Sequence, residues 1–381
     1  MQWKPLPAKP ADTGDEPVDD PCATCLVGPP PPPPRTRHAG RLEVALLVPV
    51  RGATGIWGPS ARACAQLAAE ELNRAGGVGG RELRLHVFNA ADECRDIPQQ
   101  LGALIDEGAL DAVVGMHTSA VRGRVSAATR GRVPFVYTPL YEGGERAPGV
   151  YAIGETPELQ LLPALRTLCL RYGARRWVFV GHDCVWPRAS HRFAGAALQA
   201  LGAQLLADRY TRPACGSYRA VLDEIERLRP DAVLLSLVGQ DAIDFNREFA
   251  ARGLARRIRR LSCAIEENAL LAIGADSTAG LFACAGYFAT LGHDANMAFK
   301  ERYHGRYGER APVLNALAQS AYDGVHFLAA LLAAPGRAAG RRAPLAFRSV
   351  RGLSWQGNAR VQQPVFLAEA DGHFFQVTER L

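Results

Sequence analysis

The stretch EVALLVPVRGATGIWGPSARACAQLAAEELNRAGGVGGRELRLHVF, residues 43–88, holds an aliphatic run, a longer amphipathic segment from Ser60 to Arg74, a glycine cluster and a second run, ELRLHVF. Strand, helix and strand in that order make a βαβ unit, and an unbroken apolar strand suits a parallel sheet covered on both faces. The unit repeats. DAVVG (111–115) and VPFVY (133–137) are the next strands, with helices over Arg95 to Glu107 and Ser119 to Arg130. After residues 151–154 the rhythm resumes with a helix from Pro157, then WVFVG (177–181), AQLLADRY (203–210), DAVLLSLVG (231–239), IRRLSC (258–263) and LFACAGYF (281–288). Helices over Arg188 to Leu201, Tyr218 to Leu228 and Ala242 to Arg252 separate them. Two further helical stretches fall between Asp294 and Ala334, and VQQPVFLAEADGHFFQV (361–377) is a terminal hairpin turning at Asp371 and Gly372. The expected fold is α/β, with two doubly wound parallel sheets.

Composition bounds the function. A chain of 381 residues, 48% hydrophobic and 22% charged, carries enough apolar surface for two cores. Residues 1–40 are different: they hold eleven of the 26 prolines and almost no aliphatic side chains, so a disordered tail is expected there. No run of about 18 apolar residues occurs, so no membrane insertion is expected. The net charge of +6 rests on arginine, lysine occurring only at Lys4, Lys9 and Lys300. Its one dense run, Arg252 to Arg260, reads as a solvated loop, and no direct nucleic-acid partner is expected. Nine cysteines cannot all pair within one chain; Cys64, Cys169, Cys263 and Cys284 sit in apolar segments as buried thiols, which suits a reducing compartment. Cys22 and Cys25 are spaced like metal ligands but have no second pair. The first twenty residues carry acids and prolines where a secretory signal needs an apolar stretch. A cytoplasmic location follows, or a periplasmic one if the start codon is misassigned.

Few motifs invite chemistry. The glycines of GGVGG (76–80) follow a helix and precede a strand, the reverse of a phosphate-cradling loop, so a helix cap and turn is expected. His182, Asp183 and Cys184 are adjacent on one loop, where three side chains point different ways, and no catalytic residue is assigned. No spacing such as HExxH points to a metal, and no cofactor is expected. The informative residues lie at the carboxyl ends of strands, where open α/β sheets bind ligands. MHTSAVRGRV brings His117, Thr118 and Ser119 to a helix start, although Ser119 also reads as a plain N-cap. YTPLYEGGE brings Tyr137, Thr138, Tyr141 and Glu142 beside them.

The segments ALLVPVRGATGIWGPSARACAQLAAEELNRAGGVGGRELRL, VVGMHTSAVR, YTPLYEGGERAPGVYAIGETP, VFVGHDCVWPRAS, DAVLLSLVGQDAIDFNREF and AYDGVHFLAAL resemble the type I periplasmic-binding-protein family (Leu/Ile/Val-binding-protein-like). They are most similar to its branch of amide-sensing negative regulators of aliphatic amidase and of urea or short-chain-amide receptors. The resemblance runs from about residue 42 to about residue 370. It implies two lobes joined by a three-strand hinge, with residues 41–153 and 286–348 in the first and 154–285 and 349–381 in the second. The chain would cross near Ile153, near Ala285 to Tyr287 and near Arg348 to Leu353. Residue by residue, it implies that Ser119 and Thr138 hold the polar head of the ligand, flanked by Tyr137 and Pro139. In the second lobe Cys184 and Trp186 stand where the amide sensor has two tyrosines, and Gln240 and Glu267 match polar positions around the cleft. The implied function is that of a non-enzymatic ligand sensor, closing on a small polar solute (an amide, urea or an amino acid) and regulating amidase-type expression through a protein partner. The alternative is the substrate-binding receptor of an ABC transporter, with a permease as partner; a homo-oligomer is compatible with both.

Overall fold

The computed structural model describes residues 40–92, 94–333, 345–356 and 359–381. The expected proline-rich tail, with Cys22 and Cys25, lies outside the described residues but for Gly40.

Strands β1 (Arg41–Val48), β2 (Glu82–Asn89), β3 (Ala112–Gly115), β4 (Phe135–Tyr137) and β5 (Val150–Ala152) form a wholly parallel sheet in the order β2-β1-β3-β4-β5. Its crossovers are α1 (Gly58–Arg74), α2 (Ile97–Asp106) and α3 (Ser119–Thr129). Leu42, Val44, Leu46 and Val48 enter one hydrophobic cluster, while Ala45 and Leu47 pack with Ile97, Leu101, Val121 and Val125 in another. Both faces of β1 are therefore buried, which is why its apolar run is continuous. At the end of α1, Gly77 N–H donates to the Leu72 carbonyl at 2.9 Å and Gly76 N–H to that of Asn73 at 3.1 Å, with φ of 79° and 96°. This is a Schellman cap, and it accounts for the glycine cluster.

The second sheet begins after α4 (Pro157–Leu170). Parallel strands β6 (Arg176–His182), β7 (Gln204–Thr211), β8 (Ala232–Ser236), β9 (Arg259–Ser262) and β10 (Leu281–Ala285) alternate with α5 (Val185–Ala200), α6 (Arg219–Leu228), α7 (Gly239–Ala251) and α8 (Glu267–Ile273). Helices α9 (Asp294–Tyr307) and α10 (Ala316–Ala333) return to the first sheet, where Tyr307 Oη donates to the Ala63 carbonyl of α1. Short strands β11 (Ala346–Arg348), β12 (Ser354–Gln356) and β13 (Ala359–Gln362) make a separate antiparallel sheet. The hairpin β14 (Phe366–Asp371) and β15 (Phe374–Arg380) then completes the order β15-β14-β10-β9-β8-β6-β7.

Three expectations shift. Helices α5 and α7 each start three residues before the expected position, because Cys184 and Val238, in extended conformation, precede them without a capping side chain to mark the start. Val361 belongs to β13, so the terminal hairpin begins only at Phe366. The arginine run is not solvated throughout: Arg260 is fully buried in β9, donating to Asn246 Oδ1 at 2.6 Å and to the Ser277 carbonyl at 3.0 Å.

The chain passes between the sheets after β5, after β10 and through the small sheet before β14. At these passages Arg351 lies between two carboxylates, with Nη1 3.0 Å from Glu155 and Nε 3.1 Å from Asp323 of α10. A Cβ on Gly286 would stand 2.1 Å from Glu155 Oε1, so any other residue where the second passage meets the first would have to displace that carboxylate. No helix among the described residues is long and apolar enough to cross a membrane.

Candidate functional site

The carboxyl ends of both parallel sheets converge on a cavity of about 100 Å³. Loops after β1, β2, β3 and β4 supply one wall, and loops after β6, β7, β8 and β9 the other. The walls touch at one side. Gln240 N–H donates to the Ala53 carbonyl at 3.0 Å, and Asn268 Nδ2 to that of Ile56 at 3.1 Å. Gly239, at φ 58°, passes so near that a Cβ would lie 1.8 Å from the Ala53 oxygen.

Seven of the ten expected residues line the cavity: His117, Thr118, Ser119, Tyr137, Pro139, Cys184 and Trp186. Thr118, not Ser119, occupies the N-cap position of α3; its hydroxyl donates to Asp92 Oδ1 at 2.5 Å and caps nothing. Ser119 is the first helical residue, and its buried Oγ has no hydrogen-bond partner. The start of α3 thus offers a hydroxyl and backbone N–H groups that no side chain satisfies, together with the positive end of the helix dipole. Beside it, burial pushes the His117 imidazole down to about 3, so this ring is neutral at physiological pH. Its Nδ1 lies 3.1 Å from the Thr118 carbonyl and therefore carries the proton, leaving the buried Nε2 without a partner. Tyr137 Oη donates to the His117 carbonyl at 2.7 Å. Glu142, expected beside the pocket, instead holds Arg122 at 2.7 Å, and that guanidinium stands over the Tyr137 and Tyr141 rings.

On the second wall the adjacent trio of His182, Asp183 and Cys184 separates. Asp183 accepts from Arg188 Nε at 2.6 Å, while burial pushes the Cys184 thiol up to about 11, so it stays protonated. His182 also lines the cavity, and its partner is Asp241 of α7, Nε2 to Oδ2 at 3.0 Å. Trp57, Leu140, Trp186, Val238 and Leu317 give the cavity its apolar walls. Of these, Trp57 follows β1 and could have been found by the strand-end rule. Leu317 comes from α10, distant in sequence, and had no local signal.

Three expected residues are placed elsewhere. Thr138 is fully buried on the α10 side, its hydroxyl donating to Ser320 Oγ at 3.0 Å, since Ser320 spends its own proton on the Leu317 carbonyl at 2.7 Å. Gly324 makes room there, since a Cβ on it would lie 2.3 Å from Thr138 Cγ2. The exposed Gln240 side chain donates to Asp244 at 2.8 Å, one turn along α7. Glu267 accepts from Ala289 N–H at 2.7 Å, with burial pushing its carboxyl up to about 8.

Two parallel sheets facing a shared cavity, with the chain passing between them three times, define a two-lobed binding architecture. Residues 41–377 match the family described as periplasmic binding protein, and the chain belongs to that family. The fold is that of the type I members. An ABC-transporter solute-binding protein from R. palustris, solved in complex with benzoate, is 20% identical, with a TM-score of 0.75 over 90% of this chain and 96% of that one. The branched-chain amino acid transporter substrate-binding protein of Streptococcus pneumoniae, solved with isoleucine, is 17% identical, with a TM-score of 0.77 over 89% and 98%. A fatty acid ABC transporter substrate-binding protein from Thermomonospora curvata is 15% identical, with a TM-score of 0.75 over 91% and 93%. At these identities the likeness is one of fold.

Proposed function

We propose that the protein is the solute receptor of an ABC-type importer and closes two lobes on a compact solute that joins a carboxylate or amide oxygen to an apolar body. One observation carries this reading: Ser119 Oγ is buried without a partner at the uncapped start of α3, in a cavity walled by Trp57, Trp186 and Leu317. An oxygen acceptor would complete that hydroxyl and the N–H groups beside it, and the indoles would cover the remainder. The related proteins solved with benzoate and isoleucine bind acids of this build, and their stated roles favour the transport receptor over the sensor. The lobes are residues 41–153 with 286–348, and 154–285 with 349–381, and the protein partner is a permease. No catalytic step is assigned, since the thiol in the cavity is protonated. The amide sensor is the second reading, supported by the similarity of the quoted segments and by a cleft able to hold an amide oxygen.

Titration calorimetry with benzoate, isoleucine, acetamide and urea tests this, with Trp57 and Trp186 as fluorescent reporters and small-angle scattering for closure. An acid should bind and reduce the radius of gyration. Binding of acetamide or urea alone would overturn the acid and leave an amide-type solute, which suits the sensor and an amide receptor alike, and binding of none of the four would overturn both readings.

A further inference from the structure

The acceptor end of the ligand leaves the second wall unexplained, and there His182 is held in an unusual way. It ends β6 and lines the cavity, yet 96% of its side chain is withdrawn from solvent. Its Nε2 is gripped by Asp241 Oδ2, which also accepts from Ala214 N–H at 2.8 Å, while Tyr218 Oη donates to Asp241 Oδ1 at 2.6 Å. Burial pushes the Asp241 carboxyl up, but the bonds from His182, Tyr218 and Ala214 outweigh it and hold it down at about 2. An ionised carboxylate is an acceptor only, so the imidazole must present Nε2–H to it. In the neutral ring the remaining nitrogen, Nδ1, then carries the lone pair, and the only side-chain hydrogen bond His182 makes among the described residues is the one to Asp241 through Nε2.

We infer that His182 is a specificity-determining residue, whose Nδ1 accepts a hydrogen bond from an O–H or N–H donor on the ligand. The solute is then an acid or amide with a second, donor-bearing group. Asp241 and Tyr218 are positioning residues that select the tautomer. The inference rests on the reading above, because the acceptor end must be held by the first wall for the donor to meet the second. It also gives closure a chemical cause: one polar group of the ligand belongs to each lobe, so both are satisfied only when the lobes meet. An acceptor left unpaired once the cleft has closed on a ligand discriminates against ligands without the donor.

Two measurements test it. Nitrogen-15 chemical shifts of the His182 ring in the wild-type protein should give the Nε2–H tautomer, and Asp241→Asn should disturb it; a proton on Nδ1 would overturn the inference whether or not any ligand is known. Calorimetry then compares benzoate with 4-hydroxybenzoate, which adds one hydroxyl, and 3-methylpentanoate with isoleucine, which adds an ammonium group. On at least one scaffold the donor-bearing acid should bind about tenfold tighter or more. His182→Leu should bring that ratio within about twofold, and Tyr218→Phe should lower it less. Equal binding within both pairs by the wild type, or a ratio that survives His182→Leu, would overturn it. Wild-type failure to bind any of the four acids would sink the carboxylate reading instead, with the tautomer still deciding whether His182 offers an acceptor.

Discussion

At the passages between the sheets, Arg351 is pressed against Glu155 and Asp323 with all three side chains buried, and Arg360 Nη2 donates to the Ala152 and Gly154 carbonyls. In the cleft, Ser119 Oγ and His117 Nε2 are also buried, yet neither has a partner. The hinge pairs opposite charges, although Arg351 Nη2 and Arg360 Nε complete no hydrogen bond there, whereas these two cleft groups are neutral and have neither an ionic nor a hydrogen-bond partner. The difference teaches where a ligand belongs: a buried polar atom without a partner carries a desolvation cost that a bound molecule can remove. Buried charges at a hinge have another effect. They fix which segments meet, since separating them strands an ion in an apolar setting.

The contrast is most exposed to Arg351→Met. This change leaves two buried carboxylates without their cation and should destabilise the protein by about 3–5 kcal/mol in urea denaturation. The double variant Arg351→Met with Asp323→Leu should regain part of the loss, because one stranded charge is then gone. A single-variant loss below about 1 kcal/mol would show that the passages do not depend on the ionic contact.

A second test separates the two regions by pH. Burial raises the Glu266 carboxyl to about 7 and the Glu267 carboxyl to about 8, beside the interlobe bond from Asn268 to Ile56. Both acids stay protonated in the folded protein at pH values where the unfolded chain has released its protons. Stability from these groups is complete below the unfolded carboxyl range and is lost as pH rises through 7 and 8. His117, pushed down to about 3, acts in the opposite sense, but only up to its unfolded value near 6.5. From pH 6.5 to 8 the carboxyls therefore dominate, and stability should fall with a slope of at most about 1.4 kcal/mol per pH unit for each. Glu267→Gln should flatten that slope in denaturation curves; an unaltered slope would remove this acid from the account.

Most of the fold was legible because parallel strands buried on two faces leave long aliphatic runs, and the helices between them keep the 3.6-residue period. The same property hid part of the site. An apolar run with no alternation does not say which strand-end residue faces the cleft, so Tyr137 and Thr138 read alike, although only Tyr137 lines the cavity. Gln240 does not line the cavity with its side chain, because α7 begins at Gly239 and puts that side chain on the helix surface. His182 was grouped with its chain neighbours, while its partner Asp241 is 59 residues away and is brought close by the pairing of β6 with β8. Helix α8, seven residues long, carries too few turns to show a period.

The smallest effect is the one that sharpens the contrast most, since it compares two hydroxyls at the ends of neighbouring strands. Ser119→Ala removes a buried hydroxyl that makes no well-formed hydrogen bond in the protein beyond a weak approach to the Tyr137 hydroxyl, which already donates to the His117 carbonyl, so melting should change little. Affinity for the acid that binds should fall about tenfold, because the ligand oxygen gives up a donor. Thr138→Val should do the reverse. Its hydroxyl meets only Ser320, which retains the Leu317 carbonyl at 2.7 Å, so about 1 kcal/mol of stability at most is lost, and affinity should stay within about twofold. Each residue thereby serves as the control for the other. If Thr138→Val weakened binding as much as Ser119→Ala, the side chain behind the strand would be acting on the ligand, and the division between a packed face and an open one would fail. If Ser119→Ala bound normally, the unpaired hydroxyl would be a packing feature of α3, and the acceptor end of the ligand would have to be held by the backbone N–H groups at the start of that helix instead.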